Sequence, residues 1–217
     1  MALPGLQVAL DQIVLSEALD SLEHLAPHVD IIEAGTLLCC SVGMPVVQEV
    51  RKRYPQHTVV ADLKVADAGE TMVRMALGSG ANWMTVICAA PLATLEKAHE
   101  TAQSLGGEVQ VELFGHWTLE DARAWRRIGV KQAIYHRGRD AQAKGQSWGD
   151  EDFYLLRALA EIGIEPSVTG GITPEDIGLF KDIPVRAFIA GRALYGAPDP
   201  AVAAKAFHTQ IAKYWKA

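Results

Sequence analysis

Cysteine is scarce: the 217 residues include three, Cys39, Cys40 and Cys88. An odd count without CxxC or Cys/His spacing argues against a disulfide scaffold and a zinc module. Adjacent Cys39 and Cys40 are poorly placed to pair, and all three sit among apolar residues. They read as small reduced core side chains of a cytosolic protein. Long hydrophobic runs are missing, and the opening MALPGLQVALD carries no basic leader. Neither a membrane span nor a signal peptide is expected, and the expected location is cytoplasmic. Basic residues are outnumbered, 20 Lys and Arg against 26 Asp and Glu, giving a formal charge of −6 with no basic tract. General binding to nucleic acid or an anionic membrane is therefore disfavoured, and any small anion needs a local site. What the chain does have is 49% hydrophobic and 21% charged residues. That is a globular balance, long enough for one large domain or two small ones and for a sizeable core.

Short runs rich in Val and Ile recur at 6–10, 29–34, 58–62, 83–88, 108–113, 132–136, 165–169 and 186–190. Each resembles a strand covered on both faces, as in a parallel sheet. Helix-forming segments lie between them at 16–26, 68–79, 92–105, 119–128 and 153–162. Caps and acidic first turns begin several, including Ser16-Glu17, Thr118 with Glu120-Asp121, and Thr173-Pro174-Glu175-Asp176. Gly106-Gly107, Gly129 and Gly163 stand where helices should stop. A doubly wound sheet would put a glycine-rich turn after its first strand, but that strand runs into Asp11-Gln12, with no GxGxxG and no GxxxxGK[ST]. Eight strand–helix units instead predict one (β/α)8 TIM barrel spanning residues 1–217.

The strand ends carry the polar residues: Asp11, Glu33, Asp62 with Lys64, Glu112, His136 and Thr169. A charge ending an apolar strand is costly unless paired or functional, and in a barrel these ends meet at one mouth. Asp62-Leu63-Lys64-Val65-Ala66-Asp67 is the densest such stretch. Strand alternation predicts Asp62 and Lys64 on one face, where flanking anions keep an ammonium charged. On spacing alone, this is equally an ordinary salt bridge followed by a helix-starting Asp67. Two glycine turns, Thr169-Gly170-Gly171-Ile172 and Ala190-Gly191-Arg192, follow the last two strands. Backbone N–H groups there can approach a phosphate, Arg192 adds a planar cation, and barrels bind phosphate at this position.

Asp62-x-Lys64-x-x-Asp67 after an apolar strand resembles the signature of the orotidine 5′-monophosphate decarboxylase suprafamily. Within it, the stretches LQVALD (6–11), VDIIEAGT (29–36), VVADLKVADAG (59–69), WMTVICAA (83–90), VELFGHWT (111–118), YHRGRDAQ (135–142), VTGGI (168–172) and FIAGRAL (188–194) are similar to the 3-keto-L-gulonate 6-phosphate decarboxylases. They run in order across nearly the whole chain.

The resemblance implies an Mg²⁺-dependent carboxy-lyase that turns 3-keto-L-gulonate 6-phosphate into L-xylulose 5-phosphate and CO₂ through a cis-1,2-enediolate. The implied setting is the catabolism of L-ascorbate and pentose sugar phosphates. By the same resemblance Glu33 and Asp62 are the metal ligands, and Lys64 stabilises the developing oxyanion. His136 and Arg139 deliver the proton, and Glu112 positions Lys64 or the substrate hydroxyls. Asp11 and Asp67 bind hydroxyls, while Thr169, Gly170, Gly171, Gly191 and Arg192 surround the phosphate end. In relatives the residue matching Asp67 reaches across a dimer interface, so a homodimer with shared sites is implied. Residues 137–149 form a long polar loop able to close over substrate. His116 stands where relatives often have Tyr.

Three alternatives bear on this expectation. Hexulose-6-phosphate synthase, an aldolase, shares the fold and the enediolate chemistry, and Arg139 and Glu112 favour decarboxylation over it. A non-catalytic phosphosugar-binding barrel would not need the lysine, the carboxylate pair and the proton donors together. Orotidine monophosphate decarboxylase itself uses Lys-Asp-x-Lys-x-x-Asp, whereas Ala61 precedes Asp62 here.

Overall fold

The computed structural model describes residues 3–145 and 147–215. Eight parallel strands close on themselves: β1 Gly5–Leu10, β2 Ile31–Ala34, β3 Thr58–Val65, β4 Trp83–Ile87, β5 Glu108–Leu113, β6 Gln132–His136, β7 Glu165–Thr169 and β8 Ala187–Ala190. Each pairs with its neighbour in sequence, and β8 returns to β1 through the register Val8 to Ala190. The expected single-domain (β/α)8 barrel is what forms.

Helices α1 Leu15–Leu25, α2 Thr36–Val42, α3 Pro45–Arg53, α4 Gly69–Gly78, α5 Leu92–Ser104, α6 Leu119–Arg127, α7 Arg139–Ala143, α8 Asp150–Ile162, α9 Arg192–Tyr195 and α10 Pro200–Tyr214 follow the strands. Local chemistry sets their starts. Thr118 accepts from the Asp121 N–H while Asp121 accepts from the Thr118 N–H, a reciprocal cap that begins α6. Asp199 caps α10 by accepting from the Val202 N–H.

The strand period of two sorts residues between two cores. Leu6, Val8 and Leu10 of β1, with Ile32 and Ala34 of β2, belong to the large apolar cluster that also holds helix residues such as Leu22, Val47 and Phe207. The intervening residues point into the barrel. Ile31, Val60 and Ala187 pack there against Trp83, apart from the outer cluster. Buried Gln110 donates from Nε2 to Gln132 Oε1 at 2.8 Å, keeping two polar interior side chains satisfied. One end of the interior is thus filled, and the chemistry is confined to the other.

Three sequence expectations change. The third strand does not stop at Asp62 but runs to Val65 through a register shift between Ala61 and Val65. Lys64 adopts φ 44° in that bulge, so simple alternation does not place it. The segment after Thr173 is a 3-10 turn, Pro174–Phe180, because its Thr173–Asp176 cap is followed by no longer run of helix formers. The cysteines are not all core residues: Cys39 is buried, Cys40 exposed and Cys88 half-buried. Neighbours on a helix diverge by about 100°, so α2 can bury only one of its adjacent pair.

Candidate active site

The strand ends converge on a cavity of about 450 Å³ at the C-terminal mouth of the barrel. Its wall repeats the strand period: Ala9 and Asp11, Asp62 and Lys64, Ile134 and His136, Ile189 and Gly191. Glu33, Glu112, Arg139, Thr169, Gly170, Gly171 and Arg192 complete the set expected from the sequence. Asp67 is the exception. It is exposed on the rim just before α4 and does not line the cavity of this chain. A larger hollow of about 660 Å³ lies outside the barrel between α6 and α8. It gathers four arginines but none of the strand-end acids and bases.

Lys64 holds the centre. Its Nζ lies 2.5 Å from Asp62 Oδ2 and 3.6 Å from Glu112 Oε1, and donates to Thr36 Oγ1 at 2.8 Å. Burial disfavours its charge, but the Glu112 and Asp62 carboxylates outweigh that and hold its pKa above the ordinary lysine value. The bulge supplies the placement, because the Lys64 N–H donates to Thr85 Oγ1 at 2.8 Å. That same hydroxyl donates to Asp62 Oδ1 at 2.7 Å, tying lysine and aspartate to one threonine.

Asp62 also accepts from Thr36 Oγ1 at 2.5 Å. Burial works against its carboxylate, yet Lys64 and hydrogen bonds from Lys64, Thr36 and Thr85 prevail and keep its pKa below the usual range. Glu33 is the opposite case. Burial, then the nearby Asp62 and Glu112 charges, push its carboxyl well above the ordinary value. Gln7 Nε2 donates to its Oε2 at 2.5 Å. Glu33, Asp62 and Glu112 therefore surround the single ammonium of Lys64, and the cluster has an excess of negative charge. Two buried carboxylates open to a cavity suit a hard divalent cation that takes few protein oxygens and retains waters. Among the described residues, no group of three His, Cys, Asp or Glu is arranged to hold a metal by itself.

Glu112 faces two ways: its Oε1 also meets His136 Nδ1 at 2.5 Å. With Nδ1 held, Nε2 is the ring nitrogen left for substrate. Phe114 packs edge-on against the ring, centroids 5.2 Å apart, and fixes its plane. Arg139 reaches across the mouth to Asp11, Nη2 to Oδ2 at 2.8 Å. Burial raises the pKa of Asp11, and Arg139 opposes the shift.

Thr36, Thr85, Gln7 and Phe114 were not singled out by the sequence reading. A polar residue inside an apolar strand was the available signal for Gln7 and Thr85. For Thr36 it was a hydroxyl directly after a strand-end glycine. Cys39 stays outside the chemistry. Burial, with Asp62 and Glu33 nearby, pushes its thiol up to about 12, and its Sγ donates to the Ala34 carbonyl at 3.3 Å.

Residues 4–207 match the family model described as Orotidine 5'-phosphate decarboxylase / HUMPS family. The chain belongs to that family. Over 215 residues it is 60% identical to 3-keto-L-gulonate-6-phosphate decarboxylase SgbH of Escherichia coli strain K12, covering 99% of this chain and 98% of that one. The crystal structure of KGPDC from Streptococcus mutans in complex with ribose-5-phosphate superposes with a TM-score of 0.96 at 41% identity, covering 99% of this chain and 100% of that chain. The 3-keto-L-gulonate-6-phosphate decarboxylase of Vibrio cholerae O1 biovar El Tor gives 0.94 at 45% identity, with the same coverage. This family member is accordingly a carboxy-lyase of sugar-phosphate metabolism.

Proposed function

We propose that the enzyme decarboxylates 3-keto-L-gulonate 6-phosphate to L-xylulose 5-phosphate and CO₂, with Mg²⁺ as cofactor, in L-ascorbate and pentose sugar-phosphate catabolism. The observation that carries this reading is Lys64, held between Asp62 and Glu112 beside Glu33, in a mouth whose far wall is two glycine turns and Arg192.

Loss of CO₂ from a β-keto acid leaves an electron pair on the carbon next to the ketone. Delocalisation into the carbonyl gives a cis-1,2-enediolate whose negative charge must be stabilised. The Lys64 ammonium supplies a fixed positive charge where that oxyanion develops. Held by Glu33 and Asp62, Mg²⁺ supplies Lewis-acid stabilisation of the developing charge. His136, oriented by Glu112, is the proton source for the enediolate, and Arg139 orients the delivering water. Asp11 shares Arg139 and binds a substrate hydroxyl. Asp67 stands on the rim, where a second copy of the chain can use it, consistent with a cytoplasmic homodimer that shares its sites.

At the far wall, the Thr169–Gly171 turn and Gly191-Arg192 bind the phosphate. Arg192 is exposed and forms no salt bridge among the described residues, so it is available to an incoming anion. Arg192→Ala should raise KM for the phosphorylated keto acid tenfold or more while kcat changes less, as expected when binding common to ground and transition states is removed. Steady-state kinetics with the keto acid, with and without its phosphate, test this. Equal KM in wild type and variant would take Arg192 out of the phosphate site. Equal turnover of the two substrates by wild type would remove the sugar phosphate from the proposal.

A further inference from the structure

The loop after β6 carries His136 and Arg139, and between them lies Arg137, which has no role in the reaction described above. Its side chain turns away from the mouth. Nε and Nη2 both donate to the Gly170 carbonyl, at 3.0 and 2.7 Å, and its guanidinium lies 4.7 Å over the Trp148 ring. Its N–H donates to the Thr169 carbonyl at 3.1 Å, and its carbonyl accepts from Gln142 Nε2 at 2.6 Å. The two segments touch backbone to backbone. A Cβ on Gly170 would lie 2.2 Å from the Arg137 carbonyl oxygen, and one on Gly171 would lie 2.2 Å from Gln142 Oε1. Both glycines have positive φ, 113° and 66°, so only glycine fits this contact without strain.

In a trans peptide the C=O and the following N–H point in opposite directions. Arg137 draws the Gly170 carbonyl outward and so turns the Gly171 N–H inward. That N–H donates to no protein acceptor among the described residues. We infer that Arg137 is a positioning residue, locked by Trp148 and Gln142, that aims the Gly171 amide at the substrate phosphate and fastens the proton-delivering loop to the phosphate turn. The inference rests on the phosphate reading of this turn and adds what holds the turn in place.

Calorimetric binding of inorganic phosphate to the full chain tests it without turnover. Arg137→Ala should weaken phosphate binding at least tenfold, and Arg137→Lys should restore little, because a lysine lacks the forked pair of donors. Gln142→Leu leaves the guanidinium in place and should weaken binding about threefold, which keeps the test available if Arg137→Ala does not fold. Arg157→Ala, on the outer face of α8, should bind as wild type does. The same Arg137→Ala protein should show KM for the phosphorylated substrate raised and kcat lowered together, since the turn and the His136 loop loosen as one. Wild-type affinity in Arg137→Ala and Gln142→Leu overturns the positioning role. Full restoration by Arg137→Lys also overturns it, by reducing Arg137 to a charge. A wild-type protein that binds no phosphate overturns the phosphate reading itself.

Discussion

Lys64→Ala should lower kcat for decarboxylation by about a thousandfold or more, the upper end of what losing one preorganised oxyanion stabiliser costs. Its Nζ touches Asp62, approaches Glu112 and meets Thr36, and no other cation stands between the buried acids. Removal subtracts the charge that stabilises the enediolate and leaves Asp62 and Glu112 facing each other without an ammonium between them. Lys64→Arg should not recover activity. A planar guanidinium cannot occupy the position of a compact ammonium that is coupled through its backbone to Thr85. CO₂ release at saturating substrate measures the effect, with a thermal melt showing that the barrel still folds. Near-wild-type kcat in a folded Lys64→Ala protein would remove the lysine from the reaction.

Chelation carries the second large effect. EDTA should bring turnover below about one hundredth of its starting rate, as expected when Lewis-acid stabilisation worth several kcal/mol is lost, and added Mg²⁺ should restore it. Glu33 and Asp62 open onto the cavity in a cluster with more carboxylate than ammonium charge. Glu33→Gln removes one of the two oxygen donors and one negative charge. It should raise the Mg²⁺ concentration needed for half-maximal activity, whereas a change elsewhere on the rim should not. CO₂ release across a Mg²⁺ titration checks both. Undiminished turnover in excess EDTA would contradict the metal's place in the reaction.

Most of the site was legible because the barrel imposes a period of two on its strands and gathers their ends. Asp11, Glu33, Asp62, Glu112 and His136 each follow an apolar run, and each lines the mouth. Closure required only that every unit bring its strand back to the same sheet, which eight Val- and Ile-rich segments with intervening helices do. The less legible features depend on contacts distant in sequence or on local backbone. Lys64 reaches Asp62 through a bulge with positive φ, which alternation does not foresee. Thr36 and Thr85 are hydroxyls that any strand or loop could carry, and their value lies in meeting the same carboxylate from two other units. Arg137 looked like one more surface charge in a polar loop until the Gly170 carbonyl was seen to take both its donors. Asp67 belongs to the recognised motif yet stays outside the cavity of its own chain, because α4 begins just beyond it and carries it along the rim.

The net charge of −6 disfavoured an anionic partner, but the mouth answers that locally. Lys64, Arg139 and Arg192 stand on one cavity wall or another, with glycine turns offering backbone amides beside them. A single small anion meets this local field before it meets the average of the surface.

The most direct test offers the enzyme, with Mg²⁺, 3-keto-L-gulonate 6-phosphate in one vessel and formaldehyde with ribulose 5-phosphate in another. Stoichiometric CO₂ and L-xylulose 5-phosphate in the first, at a kcat/KM at least a hundredfold above any condensation in the second, is the result expected. Condensation as the faster reaction, or no CO₂ from the keto acid, would contradict it.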